Sequence, residues 1–190
     1  MQDTLSGFHV YSVNYLRLSV KCFGRGPGAP SPGYAPAMGA VLERVVSVRR
    51  RAPGDDAFIE RLSAAAFGDF DPGAGPRTLG LARRPEAHTL VAERGPDRLG
   101  FVVVERTEGT AWVEAIAVVP SERGQGVGVV LMKEALRLAR RLGASRVRLT
   151  TAQANLEALS LFLKCGFAIE GRMAHYYARG QDACALVRSV

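Results

Sequence analysis

The chain has 190 residues, 47% of them apolar and 23% charged, with a formal charge of +7. That length and composition suffice for one good core and exclude a largely unfolded chain. No apolar run is long enough to span a bilayer, and the arginines are scattered among acids, which argues against nucleic acid as a direct partner.

Cys22, Cys165 and Cys184 are too few and too irregular for a disulfide framework or a metal set. His9, His88 and His175 have no metal-motif spacing either. The opening MQDTLSGFHV has neither a basic n-region nor a hydrophobic h-region, so a reducing cytoplasm is the expected setting. A monomer or a homodimer is the expected state.

Residues 1 to 40 read as an extension to the core, ending in the glycine and proline linker GRGPGAPSPGYAPAMG. The domain proper then spans residues 41 to 190. ERVVSVRR, residues 43 to 50, reads as its first strand, broken by Pro53 and Gly54. Asp55 and Asp56 favour a helix start, and Phe58, Leu62 and Ala65 or Ala66 give it an apolar stripe ending near Phe67 and Gly68. DFDPGAGPRTLG, residues 69 to 80, reads as a loop, with a short helical piece around Leu81 to Pro85. Residues 88 to 95 and 98 to 109 read as antiparallel strands around the turn from Gly95 to Arg98. A second turn at Glu108 and Gly109 leads into a fourth strand.

That fourth strand opens AWVEAIAVVPSERGQGVGVVLMKEALRLARRLGA, residues 111 to 144. Pro120 stops the strand. Arg123, Gly124, Gln125, Gly126, Val127 and Gly128 form a tight turn and the first turn of a helix. Leu131, Ala135, Leu138 and Leu142 then recur at helical spacing, with Lys133, Arg137 and Arg141 on the other side. Gly143 caps that helix, and SRVRLTTA, residues 145 to 152, is the next strand. A helix from Asn155 to Lys164 closes at Gly166, and residues 167 to 190 form a last hairpin.

The glycine-rich turn suits an anion. A helix N-terminus has free amides and partial positive charge. Glycine removes the Cβ atoms that would hold a diphosphate away, and Arg123 adds a charged fork. The spacing excludes other phosphate binders. There is no G-x-x-x-x-G-K-S/T run, and Gly124, Gly126 and Gly128 give G-x-G-x-G instead of G-x-G-x-x-G.

The turn resembles the acyl-CoA motif R/Q-x-x-G-x-G/A of the GCN5-related N-acetyltransferase (GNAT) family, which Arg123, Gly126 and Gly128 match. The next segment resembles the family's N-x-x-A-x-x-L-Y-x-K-x-G-F, through Asn155, Ala158, Leu161, Lys164, Gly166 and Phe167, with Phe162 in place of the tyrosine. The resemblance implies a mixed α/β fold whose mostly antiparallel central sheet has splayed central strands and packed helices. It implies acetyl-CoA as cofactor and a primary amine as substrate. The pyrophosphate would sit on the amides of residues 124 to 128, and the pantetheine against backbone near Ile116, Ala117 and Val118. A backbone N–H near Val118 would face the developing oxyanion. Asn155 would approach the pantetheine from the other side, or serve as a plain N-cap.

Glu114, on the fourth strand, is the candidate base. Strand alternation would put it on one face with Ile116. Phe162, at the family's tyrosine position, is counted with the cofactor-binding residues but has no proton to give, so Tyr176 and Tyr177 are the candidates for the acid, with aromatic packing as the alternative. Tyr176, Tyr177, Asp182 and Ala183 resemble the tail Y-Y-x-x-x-x-D-A of the ribosomal-protein and peptide N-terminal acetyltransferases. Thr150 departs from that group, which has a glutamate there. A peptide N-terminus, a small-molecule amine and a non-catalytic acyl-CoA-binding module are therefore the alternatives. Asp69 and Asp71 lie in a loop that relatives use as a substrate wall.

Overall fold

The computed structural model describes residues 45–190. The expected extension over residues 1 to 40, and the first two residues of the expected first strand, lie outside the described residues.

Seven strands form one sheet: β1 (Ser47–Arg50), β2 (Ala87–Arg94), β3 (Asp97–Thr107), β4 (Thr110–Val118), β5 (Arg146–Ala152), β6 (Ala168–Met173) and β7 (Ala183–Ser189), in the spatial order β1-β2-β3-β4-β5-β7-β6. Every neighbouring pair is antiparallel except β4 and β5. Four helices join it: α1 (Asp56–Phe67), α2 (Ala74–Ala82), α3 (Val127–Arg141) and α4 (Leu156–Lys164). This is the mixed, mostly antiparallel α/β sheet that the sequence implies.

The centre of the sheet is covered on both faces, so β3 and β4 read as continuous apolar runs. Leu99 to Val104 and Ala115 to Val118 are all buried. Helix α3 contributes Leu131, Met132, Ala135, Leu136, Leu138 and Ala139 to the same core, while Lys133, Arg137 and Arg141 stay exposed. Gly100 lets α3 approach: a Cβ there would lie 2.4 Å from the Ala117 carbonyl oxygen and 3.2 Å from Leu131 Cδ1. The β3–β4 turn uses positive φ at both Glu108 and Gly109, and Gly143 ends α3 at φ 75°.

One segment departs from expectation. Residues 69 to 80, which read as loop, hold most of α2, and the helical piece placed at Leu81 to Pro85 is only its end. The glycine and proline content that signals a loop is here helix packing. Pro76 lies in the first turn of α2, where its missing N–H has no intrahelical partner to lose. Gly75 faces α1 so closely that a Cβ would meet the Glu60 carbonyl oxygen at 3.0 Å and Ala64 Cβ at 3.2 Å.

Asp55 also does more than begin a helix. Its side chain makes no cap hydrogen bond to α1. It accepts from Arg49 at 2.6 and 3.0 Å, from Arg98 Nε at 2.6 Å and from the Ala52 amide at 2.8 Å. One buried carboxylate thus ties the start of α1 to β1 and β3. The Arg49 bonds, then the Ala52 amide and Arg98, hold it well below the usual carboxylate range against the opposing effect of burial.

Candidate acetyl-transfer site

The site begins where two strands part. β4 and β5 pair only over Thr110 to Trp112 and Arg146 to Arg148. Beyond that seam β4 continues along β3 to Val118, and β5 continues along β7 to Ala152. The Arg148 guanidinium lies over the Trp112 ring, 5.9 Å from its centroid, and is bound to Glu170 of β6. The seam is therefore held by side chains as well as by backbone.

Glu114 lies just past the seam on a β-bulge. Val104 opposes Val113 and Val103 opposes Ala115, so Glu114 has no partner on β3. A bulge interrupts the count by two that the alternation argument assumed. Ile116 opposes Val102 in the regular ladder, and Glu114 stands outside it. Its residue is 8% exposed, and its carboxylate forms no hydrogen bond among the described residues. Burial, then the neighbouring charge of Glu105, pushes its pKa up to about 7, with Arg84 pulling the other way.

Val118 forms the far lip of β4. The Val119 amide donates to Leu99 O at 2.8 Å across β3, so alternation turns the amide and carbonyl of Val118 toward the opening. Arg123 Nε takes that carbonyl at 3.0 Å. The turn after it is a bare cradle. Gly124 at φ 73° and Gly126 at φ 86° need the left-handed region, and a Cβ at either would meet nothing within 4 Å. Among the described residues the amides of Gly124, Gln125, Gly126, Val127 and Gly128 have no acceptor, and α3 adds its positive end. Gly128 differs from the other two glycines. Its Cβ would lie 3.1 Å from Leu161 Cδ2, so its small size lets α4 close on α3.

On the other arm, Asn155 is buried and caps α4, its Oδ1 accepting the Ala158 amide at 3.1 Å. Phe162 has no exposed surface and packs edge-on to Phe167, centroids 6.1 Å apart, within the core. Tyr176 is half-buried with its ring 5.1 Å from Tyr177, and Tyr177 lies 5.2 Å from Phe70. Gln181 Nε2 donates to Asp69 O at 3.3 Å. The β6–β7 connection is thereby fastened to the segment between α1 and α2. The structure brings together Glu114, Ile116, Ala117, Val118 and residues 123 to 128 along β4 and its following turn, with Asn155 at the end of β5. Sequence reading missed Glu105, Arg84 and Phe70, whose positions depend on register and tertiary contact.

The Acetyltransferase (GNAT) family model matches residues 56–167, more than half of the chain. The chain belongs to this family. It is an acetyl-CoA-dependent N-acetyltransferase that acts on amines. Among its relatives is a Bacillus subtilis (strain 168) protein, itself provisionally assigned as a ribosomal protein bS18-alanine N-acetyltransferase. The two are 32% identical over 104 residues, covering 54% of this chain and 69% of that one. Streptothricin acetyltransferase of Streptomyces lavendulae is 36% identical over 80 residues, 40% of this chain and 41% of that one. The fold is shared with spermidine N-acetyltransferase from Vibrio cholerae, solved with CoA and spermine, at a TM-score of 0.63 and 20% identity over 76% of this chain and 95% of that one. The bare cradle and the splayed strands of this GNAT protein fit acetyl-CoA. Among its described residues no helix is long and apolar enough to cross a membrane.

Proposed function

We propose that the domain from residue 41 to 190 acetylates the free N-terminus of a peptide or protein, with Glu114 as the base. The buried carboxylate of Glu114 at the parting of β4 and β5 carries the chemical part of this reading. When bound, acetyl-CoA supplies a thioester open to attack by an amine. The cradle at residues 124 to 128 holds its phosphates, and the backbone of Ile116, Ala117 and Val118 with Asn155 lines its pantetheine arm. The Val118 amide, turned into the opening, is placed to donate to developing negative charge.

The attacking amine must be neutral, and a free α-amino group has a pKa of about 8. A carboxylate ionising near 7 is a usable acceptor for its proton at neutral pH. Tyr176 is the candidate acid, at the edge of the β6–β7 connection. Phe162, enclosed by the core, serves the site by packing α4 in place.

The peptide assignment is supported by the tail Tyr176, Tyr177, Asp182, Ala183. Tyr177 packs on Phe70, and Asp182 Oδ1 accepts the His175 amide at 2.9 Å. The bS18-alanine relative points the same way. A small-molecule amine is the second reading, favoured by Thr150 and by the streptothricin acetyltransferase relative. The deciding experiment is coenzyme A release from acetyl-CoA against short peptides with free N-termini, polyamines, amino acids and streptothricin-like antibiotics. Peptide-dependent release is expected. Release with small amines alone would overturn the peptide reading. In the same assay Gly126→Val, which fills the cradle, should weaken acetyl-CoA binding by about 100-fold or more, as a lost charge-assisted phosphate nest implies. Unchanged affinity by calorimetry would remove the cradle from the site.

A further inference from the structure

Glu114 has charged neighbours that the acetyl-transfer reading does not use. Glu105 lies on β3 opposite Trp112, two residues before Glu114 on β4. Its side chain is 17% exposed, and its Oε2 lies 3.5 Å from Arg84 Nη1. Arg84 follows α2, and its own side chain is 51% exposed. The pair therefore reaches from solvent to the flank of the bulge. Among the described residues, Glu105 from β3 and Arg84 from the α2–β2 connection act on Glu114 with opposite charge, and the register that sets Glu105 across from Trp112 brings the pair to this flank.

We propose that the Glu105–Arg84 pair is the electrostatic set-point of Glu114, with both acting as positioning residues for the base. The inference rests on Glu114 being that base. The physical logic is a balance. A second carboxylate beside a desolvated one disfavours its ionised form, and a guanidinium favours it. Burial alone would leave Glu114 subject only to its apolar surroundings. The pair adds one charge of each sign, with the cation farther out and free to move in water. Loss of either charge must then shift Glu114, and the two losses must shift it in opposite senses.

Glu105→Gln removes the repelling charge and leaves Arg84 unopposed, so Glu114 should ionise at lower pH. Arg84→Gln frees the full charge of Glu105, so Glu114 should ionise at higher pH. In a mixed protein–water environment each shift is expected to be roughly half a pH unit or more. The double variant should lie between them.

The measurement is the titration of the Glu114 carboxyl carbon by NMR in full-length protein labelled at glutamate side-chain carboxyls, with the resonance assigned by its loss in Glu114→Gln. The acidic limb of the kcat/KM profile is recorded alongside. Opposite shifts of the titration midpoint in the two single variants, followed by the same shifts in the limb, are the expected result. Midpoints unmoved in both variants, or moved in the same direction, would overturn the set-point. The base assignment fails separately, if Glu114→Gln leaves turnover and its pH profile unchanged. Both side chains reach solvent, so each variant should fold, and thermal melting confirms that before the titration is read.

Discussion

Asp55 and Glu114 are both carboxyl groups withdrawn from water, at 0% and 8% exposure, and their pKa values are shifted in opposite directions. Asp55 sits at the corner of β1, β3 and α1 with two guanidinium groups and a backbone amide on its oxygens. Glu114 sits on a bulge at the parting of β4 and β5, and its carboxylate has no hydrogen bond among the described residues. Burial raises the pKa in both places. Partners decide the outcome: where donors converge, the charge is held and ties elements together. Where they are withheld, the group keeps a proton that it can exchange near neutral pH. The first arrangement builds a fold, and the second suits a site.

The comparison predicts opposite effects of one chemical change, carboxylate to amide. Asp55→Asn should cost the most, about 3 kcal/mol at pH 7, since it breaks several charge-assisted bonds at a buried oxygen pair. That figure already allows for Arg49 and Arg98 being about a third exposed and able to reach water. The Asp55 pKa is lowered on folding, so its stabilisation is present above an unfolded value of about 3.9 and is lost as pH falls. The difference between variant and parent in urea unfolding should therefore shrink below about pH 4. A loss independent of pH would mean that shape, not charge, holds that corner.

Glu114→Gln should move stability the other way. The Glu114 pKa is raised on folding, so the folded chain keeps a proton that the unfolded chain releases. Its destabilising effect grows from about pH 4, the unfolded value, toward about 7 and then levels off. The variant should gain about 1–2 kcal/mol over the parent at pH 8 and nothing near pH 4, while turnover falls. Urea midpoints at the two pH values check this, and a loss of stability at pH 8 would break the contrast. Arg98→Gln sharpens it at the low end. With Arg49 still in place, about 1 kcal/mol should be lost at pH 7, well short of the Asp55 variant. Equal losses would mean that Arg98 alone carries the corner.

These differences also explain what could be read from the chain beforehand. Helix α3 was legible because Leu131, Ala135 and Leu138 repeat at its period and Gly143 ends it. The cradle was legible because Arg123, Gly124, Gln125 and Gly126 are consecutive, so no long-range contact is needed to assemble them. α2 was not legible, because Gly75 is there for α1, fifteen residues back at Glu60. Asp55 looked like a helix start because its partners Arg49 and Arg98 are joined only by the sheet. Glu114 could be singled out from its place on the strand, but its surroundings could not. The bulge shifts the register by one residue, and Glu105 is placed beside Trp112 only through that pairing. Phe162 marks the same limit, since its motif position says nothing of the enclosure that Phe167 completes.

The three-residue seam between β4 and β5 has a further consequence. Past Trp112 and Arg148 the sheet has two additional margins inside the molecule, each with backbone groups not used by the neighbouring strand. Such margins normally invite stray chains to add on and begin aggregation. Here they diverge, and an added strand needs a fixed spacing of about 4.8 Å. It could follow one margin but never both, so a foreign strand gains only half of the bonding that a sheet interior offers. The protein can thus keep its own sheet open to a slender, extended molecule while giving other polypeptides little reason to stay.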